Sequence, residues 1–201
     1  MKTDVILVGG FHEIIELCQD CGYNIIGIID NEKEGQYYNI PILGKDSDAS
    51  FLYNEHKRHK IIVTPDTPSV RRRLVELYQG IGYEFISLIS PKANISRYAS
   101  IGKGTVIQAG VNVSTASKVG DFCKLNTNCN IMHDNIIDNF VTIAPNAVSL
   151  GYVNIEEAAY IGANSTILPK LRIGHGSVVG ANAVVTKDVL PGQVVKGNPA
   201  K

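Results

Sequence analysis

The sequence lacks an excess of charge of either sign: 19 Lys+Arg stand against 19 Asp+Glu, a formal net charge of zero. A general electrostatic binder of nucleic acid is thereby excluded, because no surplus of cations is present to neutralise phosphates. Charged residues make up only 19% of the chain, below the ~25% of an average soluble protein, so it is not a disordered or solvating segment either. No apolar run reaches the ~18 residues a membrane span needs, and no charged-then-apolar segment opens at Met1. The expectation is a soluble, cytoplasmic protein without a membrane partner. A disulfide framework is also missing. Cys18 and Cys21 form a lone C-x-x-C in an apolar-patterned stretch (Ile14, Ile15, Leu17), without the flanking residues of a redox pair. They read as buried or half-buried helix cysteines, and Cys123 and Cys129, at equivalent positions of a repeat, read as core filling.

The 201 residues allow one domain or two small ones, and two grammars are present. Residues 1–90 alternate short apolar runs with helical patterns. Val5 to Val8 reads as a strand ending at Gly9-Gly10, and His12 to Asp20 as a helix stopped by Gly22. Asn24 to Ile29 is a second strand, ending at Asp30-Asn31. After turn signals at Pro41 and Gly44, a helix is expected over Ser47 to His56 and a third strand over Lys60 to Val63. A helix over Ser69 to Gln79 and a fourth strand over Phe85 to Ile89 follow. Strands alternating with helices predict a small parallel, Rossmann-like α/β sheet. The run Arg71-Arg72-Arg73 on the last helix reads as a solvated face.

Residues 91–201 follow a different rule. From Ile95 to Val185 every sixth residue is aliphatic, with Ser149 the only break among sixteen register positions. Neither a helix nor an ordinary strand has this period. Four residues past each aliphatic the side chain is small or modest in most hexads, as at Ala99, Thr105, Ser117, Ala147, Ser165 and Ala183. Glycine often follows the aliphatic directly, as at Gly102, Gly120, Gly162, Gly174 and Gly180. A one-sided six-residue period of this kind predicts a parallel β-helix of hexapeptide repeats, uninterrupted by any long loop between 95 and 185.

With an α/β unit in front, this repeat resembles the left-handed β-helix acyltransferases. The I-I-D-N strand end, S-P-K-A-N-I-S at 90–96, L-N-T…I-M-H-D at 125–134 and G-N-P-A-K at 197–201 resemble one branch of them. That branch holds the nucleotide-amino-sugar N-acetyltransferases and the sialic acid O-acetyltransferases. The resemblance implies acetyl-CoA as co-substrate and a homotrimer with the pantetheine arm in the groove between neighbouring β-helices. It further implies that residues 1–90 bind a nucleotide sugar and residues 91–201 carry cofactor binding and catalysis.

Among five histidines, His56 and His59 fall in the polar stretch N-E-H-K-R-H-K and read as surface, as does His175 between two glycines. His133 is followed by Asp134. An imidazole that titrates near neutral pH can take a proton from an attacking amine, and a carboxylate can fix its tautomer. On residues alone a solvated His-Asp pair is equally open; the resemblance makes His133 the catalytic base and Asp134 its partner. In several relatives a second histidine lies nine residues further on, where this chain has Thr142. The resemblance then assigns oxyanion stabilisation to a backbone N–H near Gly151, just after the register break at Ser149-Leu150. It places Thr142, Gly151, Ala163, Gly180 and Lys187 at the cofactor and Asn126-Thr127 at the sugar.

At the other end, Gly9-Gly10 between a strand and a helix can present N–H groups to a phosphate, although a ligand-free tight turn fits the residues as well. The full G-x-G-x-x-G is absent, since Phe11, His12 and Glu13 follow, so NAD is not expected. Asp30 and Asn31 end a strand where α/β sheets bind ligands. By resemblance the nucleotide-sugar contacts are Gly9, Gly10, Phe11, His12, Asp30, Asn31, Thr64, Asp66 and Thr67.

The leading expectation is N-acetylation of a nucleotide-linked amino-deoxy sugar, of the 4-amino-4,6-dideoxy type. The amine attacks acetyl-CoA directly, without a cysteine acyl intermediate, in surface-glycan synthesis. O-acetylation of a sugar hydroxyl needs the same base and is the rival; a non-catalytic sugar-binding scaffold is the second. A zinc lyase on the same β-helix would need three converging histidines, and the repeats hold only His133 and His175, 42 positions apart. No metal is expected, since no Asp/Glu cluster with ligand spacing occurs.

Overall fold

Val5, Ile6, Leu7 and Val8 are all buried, as expected of a strand covered on both faces. In the computed structural model, which describes residues 3–201, this run forms β1 (Thr3–Val8) inside a five-stranded sheet. Met1 and Lys2, where the stretch read for a signal segment begins, lie outside the described residues. β2 (Tyr23–Ile29) and β5 (Lys60–Val63) flank β1 in parallel. β4 (Ile40–Gly44) continues the parallel order beyond β2, and β3 (Gln36–Tyr37) closes the edge antiparallel to β4. Ile6 and Val8 face α2 (Ala49–His56) and α3 (Pro68–Ile81), while Val5 and Leu7 face α1 (His12–Asp20).

The differences from the sequence expectation have local causes. Pro41 and Gly44 mark no turn but lie in β4; the hairpin turns at Tyr38 and Asn39, both at positive φ (50° and 62°), as a two-residue hairpin requires. The expected fourth strand divides between two partners: Phe85 makes a single bridge to Ile61, while Leu88–Ile89 pairs with Val106–Ile107 as the first strand of the β-helix. His59 is buried rather than exposed, because the chain turns back from His56 into β5 and folds the ring inward. Arg71 does not lie on a solvated face either: it is 1% exposed and reaches into the β-helix. The cysteines are free; Cys18, Cys123 and Cys129 are buried, and burial pushes each thiol up to about 12.

Residues 88–185 wind as two-residue strands that repeat every six positions and pair 18 residues apart, and a last strand, Val194–Val195, pairs with Val178–Val179. They build a seven-stranded, a six-stranded and a five-stranded parallel face around one apolar core. The aliphatic register residues point inward, and Thr105, Ser117, Ala147, Ser165 and Ala183 beside them are fully buried. From Gly104 to Asn182 the corners turn through a left-handed residue three places past the aliphatic, carried by Phe122, Asn128, Asp134, Phe140 and Tyr152 among others. The glycines directly after the aliphatics serve close stacking instead: a Cβ on Gly102 would meet the Gly120 backbone at 2.4 Å.

The α/β unit docks on the seven-stranded face. Arg71 donates from Nε to the Phe122 carbonyl (2.7 Å) and from its terminal nitrogens to the carbonyls of Pro65, Asp66, Phe140 and Val141 and to Thr142 Oγ1. Burial lowers its guanidinium to about 10, so it stays charged at neutral pH. Lys124, 2% exposed, donates to the Thr64 carbonyl at 2.7 Å and pairs with Asp66 at 3.0 Å. Phe122 and Phe140 stack beneath this joint.

Candidate active site

The edge where the six- and five-stranded faces meet lies opposite the docked α/β unit. His133 and Asp134 form one of its corners, between Asn130–Ile131 and Ile136–Ile137. The left-handed backbone of Asp134 (φ 58°) turns its carboxylate back to His133, Nδ1 to Oδ2 at 2.9 Å. A carboxylate there accepts a hydrogen bond from the Nδ1–H, leaving the lone pair on Nε2. The ring is about half exposed and meets Tyr152 edge-on at 5.2 Å. It lies directly over Gly151, the matching corner of the next coil: a Cβ on Gly151 would stand 2.7 Å from Nε2. Among the described residues, the Gly151 N–H has no acceptor. A half-exposed imidazole therefore covers the unpaired N–H of the buried Gly151 one coil on. That pairing can accept a proton and donate to a developing oxyanion.

The second group of expected residues gathers around the α/β unit. Gly9, Asp30 and Asn31 line a cavity of about 180 Å³ at the carboxyl ends of the strands, with Asp46 and Arg73 beside them. Asp30 accepts from the N–H groups of Gly10 (2.7 Å), Glu32 and Lys33 and from Lys33 Nζ. Burial alone would raise its pKa, but these donors outweigh it and hold the carboxyl below its ordinary value. The Gly9 N–H is bound to the Ile29 carbonyl, so both glycine amides are occupied within the chain. The N–H groups of Phe11 and His12, at the start of α1, have no acceptor among the described residues. Phe11, His12 and Tyr38 stack in series at 5.3 and 6.0 Å. Asn31 exchanges hydrogen bonds with Asp46, and Thr64 Oγ1 donates to the Gly9 carbonyl. Thr67 is exposed at the position before α3 and makes no side-chain capping bond.

Asn126 and Thr127 stand on the edge between the six- and seven-stranded faces. Asn126 donates to Asp66, and Thr127 donates twice to Gln108 Oε1. Thr142 is fully buried; its hydroxyl donates to the Asp66 carbonyl at 2.5 Å and accepts from Arg71. The thioester contact expected of that position is closed to it, because the docked α/β unit covers it. Ala163 and Gly180 lie on the Asn126 edge, whereas Lys187 lies on the His133 edge three coils further on. His175 is exposed on the remaining edge and so does not converge with His133. Among the described residues, no group of three or more His, Cys, Asp or Glu is placed to hold a metal. A cavity of about 500 Å³ between Arg72, Arg73, Tyr160 and His175 is lined by neither His133 nor Asp30.

Sequence reasoning passed over Asn135. It is fully buried beneath the His133 corner and hydrogen-bonded to Ser149, and the break at Ser149 was its only signal.

Comparison with known proteins places this geometry. Residues 152–187 match the family described as bacterial transferase hexapeptide (six repeats), and residues 8–78 the PglD N-terminal domain. A search of curated proteins returns no match. Among solved structures, the chain resembles the acetyltransferase domain of PglB from Neisseria gonorrhoeae in complex with acetyl coenzyme A. The two share 30% identity and a TM-score of 0.91 over 100% of this chain and 99% of that one. WeeI from Acinetobacter baumannii matches at 30% identity and TM-score 0.89 over 99% of both chains. PerB from Caulobacter crescentus, in complex with CoA and GDP-perosamine, matches at 26% and 0.92 over 100% of this chain and 97% of that one. The α/β unit, the hexapeptide coil and this full-length likeness agree: the chain belongs to the left-handed β-helix acyltransferases, in the branch that holds the nucleotide-amino-sugar N-acetyltransferases and the sialic acid O-acetyltransferases, and is an acetyltransferase.

Proposed function

We propose that the chain transfers the acetyl group of acetyl-CoA to the amine of a nucleotide-linked amino-deoxy sugar, of the 4-amino-4,6-dideoxy type, in cytoplasmic synthesis of a surface glycan. The observation that carries this reading is the His133 imidazole, held by Asp134 and lying over Gly151 with its free N–H. The sugar amine attacks the thioester carbonyl carbon while His133 Nε2 takes its proton, and Asp134 stabilises the imidazolium. The Gly151 N–H donates to the oxyanion; the C–S bond then breaks and CoA leaves as the thiol after taking up a proton. Lys187, on the same edge three paired-strand spacings (about 14 Å) away, offers a cation to the phosphate end of the cofactor.

The nucleotide lies in the cleft of Gly9, Asp30 and Asn31, with the free amides at the start of α1 facing its diphosphate. In one chain that cleft and His133 are on opposite sides of the prism. A sugar tethered in the cleft therefore meets the base of a neighbouring copy, which supports a homotrimer with its sites between subunits.

The test is thiol release from acetyl-CoA with a panel of nucleotide-linked 4-amino-4,6-dideoxy sugars, alongside hydroxyl-only sugars and free sialic acid. Release with one amino sugar, reduced about 10³-fold in a folded His133→Asn variant, is expected. Release only with a hydroxyl acceptor would convert the reading to O-acetylation, and an undiminished His133→Asn would remove the base.

A further inference from the structure

Two departures from the repeat meet inside the coil. Ser149 is the only polar residue on the inward aliphatic register, and Asn135 is the only amide in the neighbouring small-residue slot between 99 and 183. Fourteen positions apart in sequence, they are in contact: Ser149 Oγ donates to Asn135 Oδ1 at 2.6 Å. Both side chains are buried, at 1% and 0% exposure. The Asn135 amide donates to the carbonyls of Met132 (2.7 Å), His133 (3.3 Å) and Leu150 (2.9 Å). One side chain thus ties the corner carrying His133 to the corner carrying Gly151.

The coil does not need such a tie to stand. Other coils fill the same two slots with an aliphatic and a small residue, and replacing both members of a buried polar pair by apolar groups of similar shape costs little. Removing one member is different, since it leaves the other buried without its partner. The pair occurs where two stacked corners carry the groups that must act on one thioester. The spacing of base and N–H donor matters there to a fraction of an ångström.

We propose that Asn135 and Ser149 are positioning residues that fix the His133 imidazole relative to the Gly151 N–H and so set the rate of acetyl transfer without touching substrate. This rests on the proposed roles of His133 and Gly151.

The experiment compares variants with the acceptor found in the panel above, reading kcat, the KM for each substrate and Tm. Ser149→Thr keeps the hydroxyl and is expected to retain kcat within about twofold; Ser149→Val, of the same shape as Thr, is expected to lose about tenfold in kcat with both KM values within about twofold. The double variant Asn135→Ala with Ser149→Ile restores the usual pattern of the repeat. It is expected to hold or raise Tm while kcat stays at least about tenfold down. Wild-type kcat in the double variant, or a kcat loss that merely follows Tm, would overturn the proposal. His133→Ala run in parallel separates the two levels: if it is inactive while the double variant is normal, only the positioning role falls. Full turnover by His133→Ala would overturn both.

Discussion

The seven-stranded face and the edge opposite it are built from the same repeat yet treat polar groups in opposite ways. On the face, two buried cations are paired within the chain: the guanidinium of Arg71 meets five carbonyls and one hydroxyl, and Lys124 meets a carbonyl and a carboxylate. On the edge, His133 has one side-chain partner, and the N–H beside it has none among the described residues. Pairing is what burial demands, because an unpaired polar group in the interior costs more than the bond would return. The Gly151 N–H, unpaired beneath the half-exposed imidazole, breaks that demand and leaves a donor for a ligand to satisfy. The contrast separates joint from site without reference to any substrate.

The joint should fail structurally and the edge chemically. Arg71→Met strips a buried cation from six acceptors drawn from both halves of the chain. It should lower the unfolding free energy by about 3–5 kcal/mol in chemical denaturation, with Lys unable to substitute because it lacks the planar fork. A loss below ~1 kcal/mol would mean that docking of the α/β unit rests on its apolar contacts alone.

Gly151→Ala probes the edge. The added methyl enters the space of the imidazole at 2.6–2.7 Å, and the ring, the end of a half-exposed side chain, can move aside cheaply. Stability should therefore change by less than about 0.5 kcal/mol. kcat should fall about ten- to hundredfold, because the base no longer stands where the proton leaves. Unchanged kcat would show that the ring's place over Gly151 is incidental.

Legibility followed the distance over which each feature is decided. The coil could be read because every hexad meets the same condition, an aliphatic inward and a small neighbour, whatever lies elsewhere. α1 and β5 begin and end as their local patterns indicate, at His12–Asp20 and Lys60–Val63. The His133–Asp134 contact was visible because its members are adjacent. Arg71 was misread because its partners lie up to 71 positions away and are mostly main-chain carbonyls, which carry no side-chain signature. The turn at Tyr38–Asn39 was missed because tyrosine is not a turn residue, and here the strand pairing imposes its conformation. Asn135 showed itself only through the break it requires at Ser149. The occupied amides of Gly9 and Gly10 depend on Asp30 folding back over them, which neither segment announces alone.

Thr142 gives the finest division between joint and site, because resemblance sets it near the thioester while the fold seals it beneath the α/β unit. Thr142→Val keeps the shape and removes the hydroxyl, leaving the Asp66 carbonyl and one Arg71 N–H each short of a partner. The Asp66 carbonyl still accepts from Arg71, and that Arg71 nitrogen still reaches the carbonyls of Phe140 and Val141. The cost should accordingly be about 1–2 kcal/mol of stability, less than for Arg71→Met, with Thr142→Ser recovering most of it. Turnover per folded molecule should be unaltered, because the hydroxyl faces the joint and not the edge. A tenfold fall in kcat at unchanged Tm would place this hydroxyl in the chemistry, and the line drawn between the two regions would have to be moved.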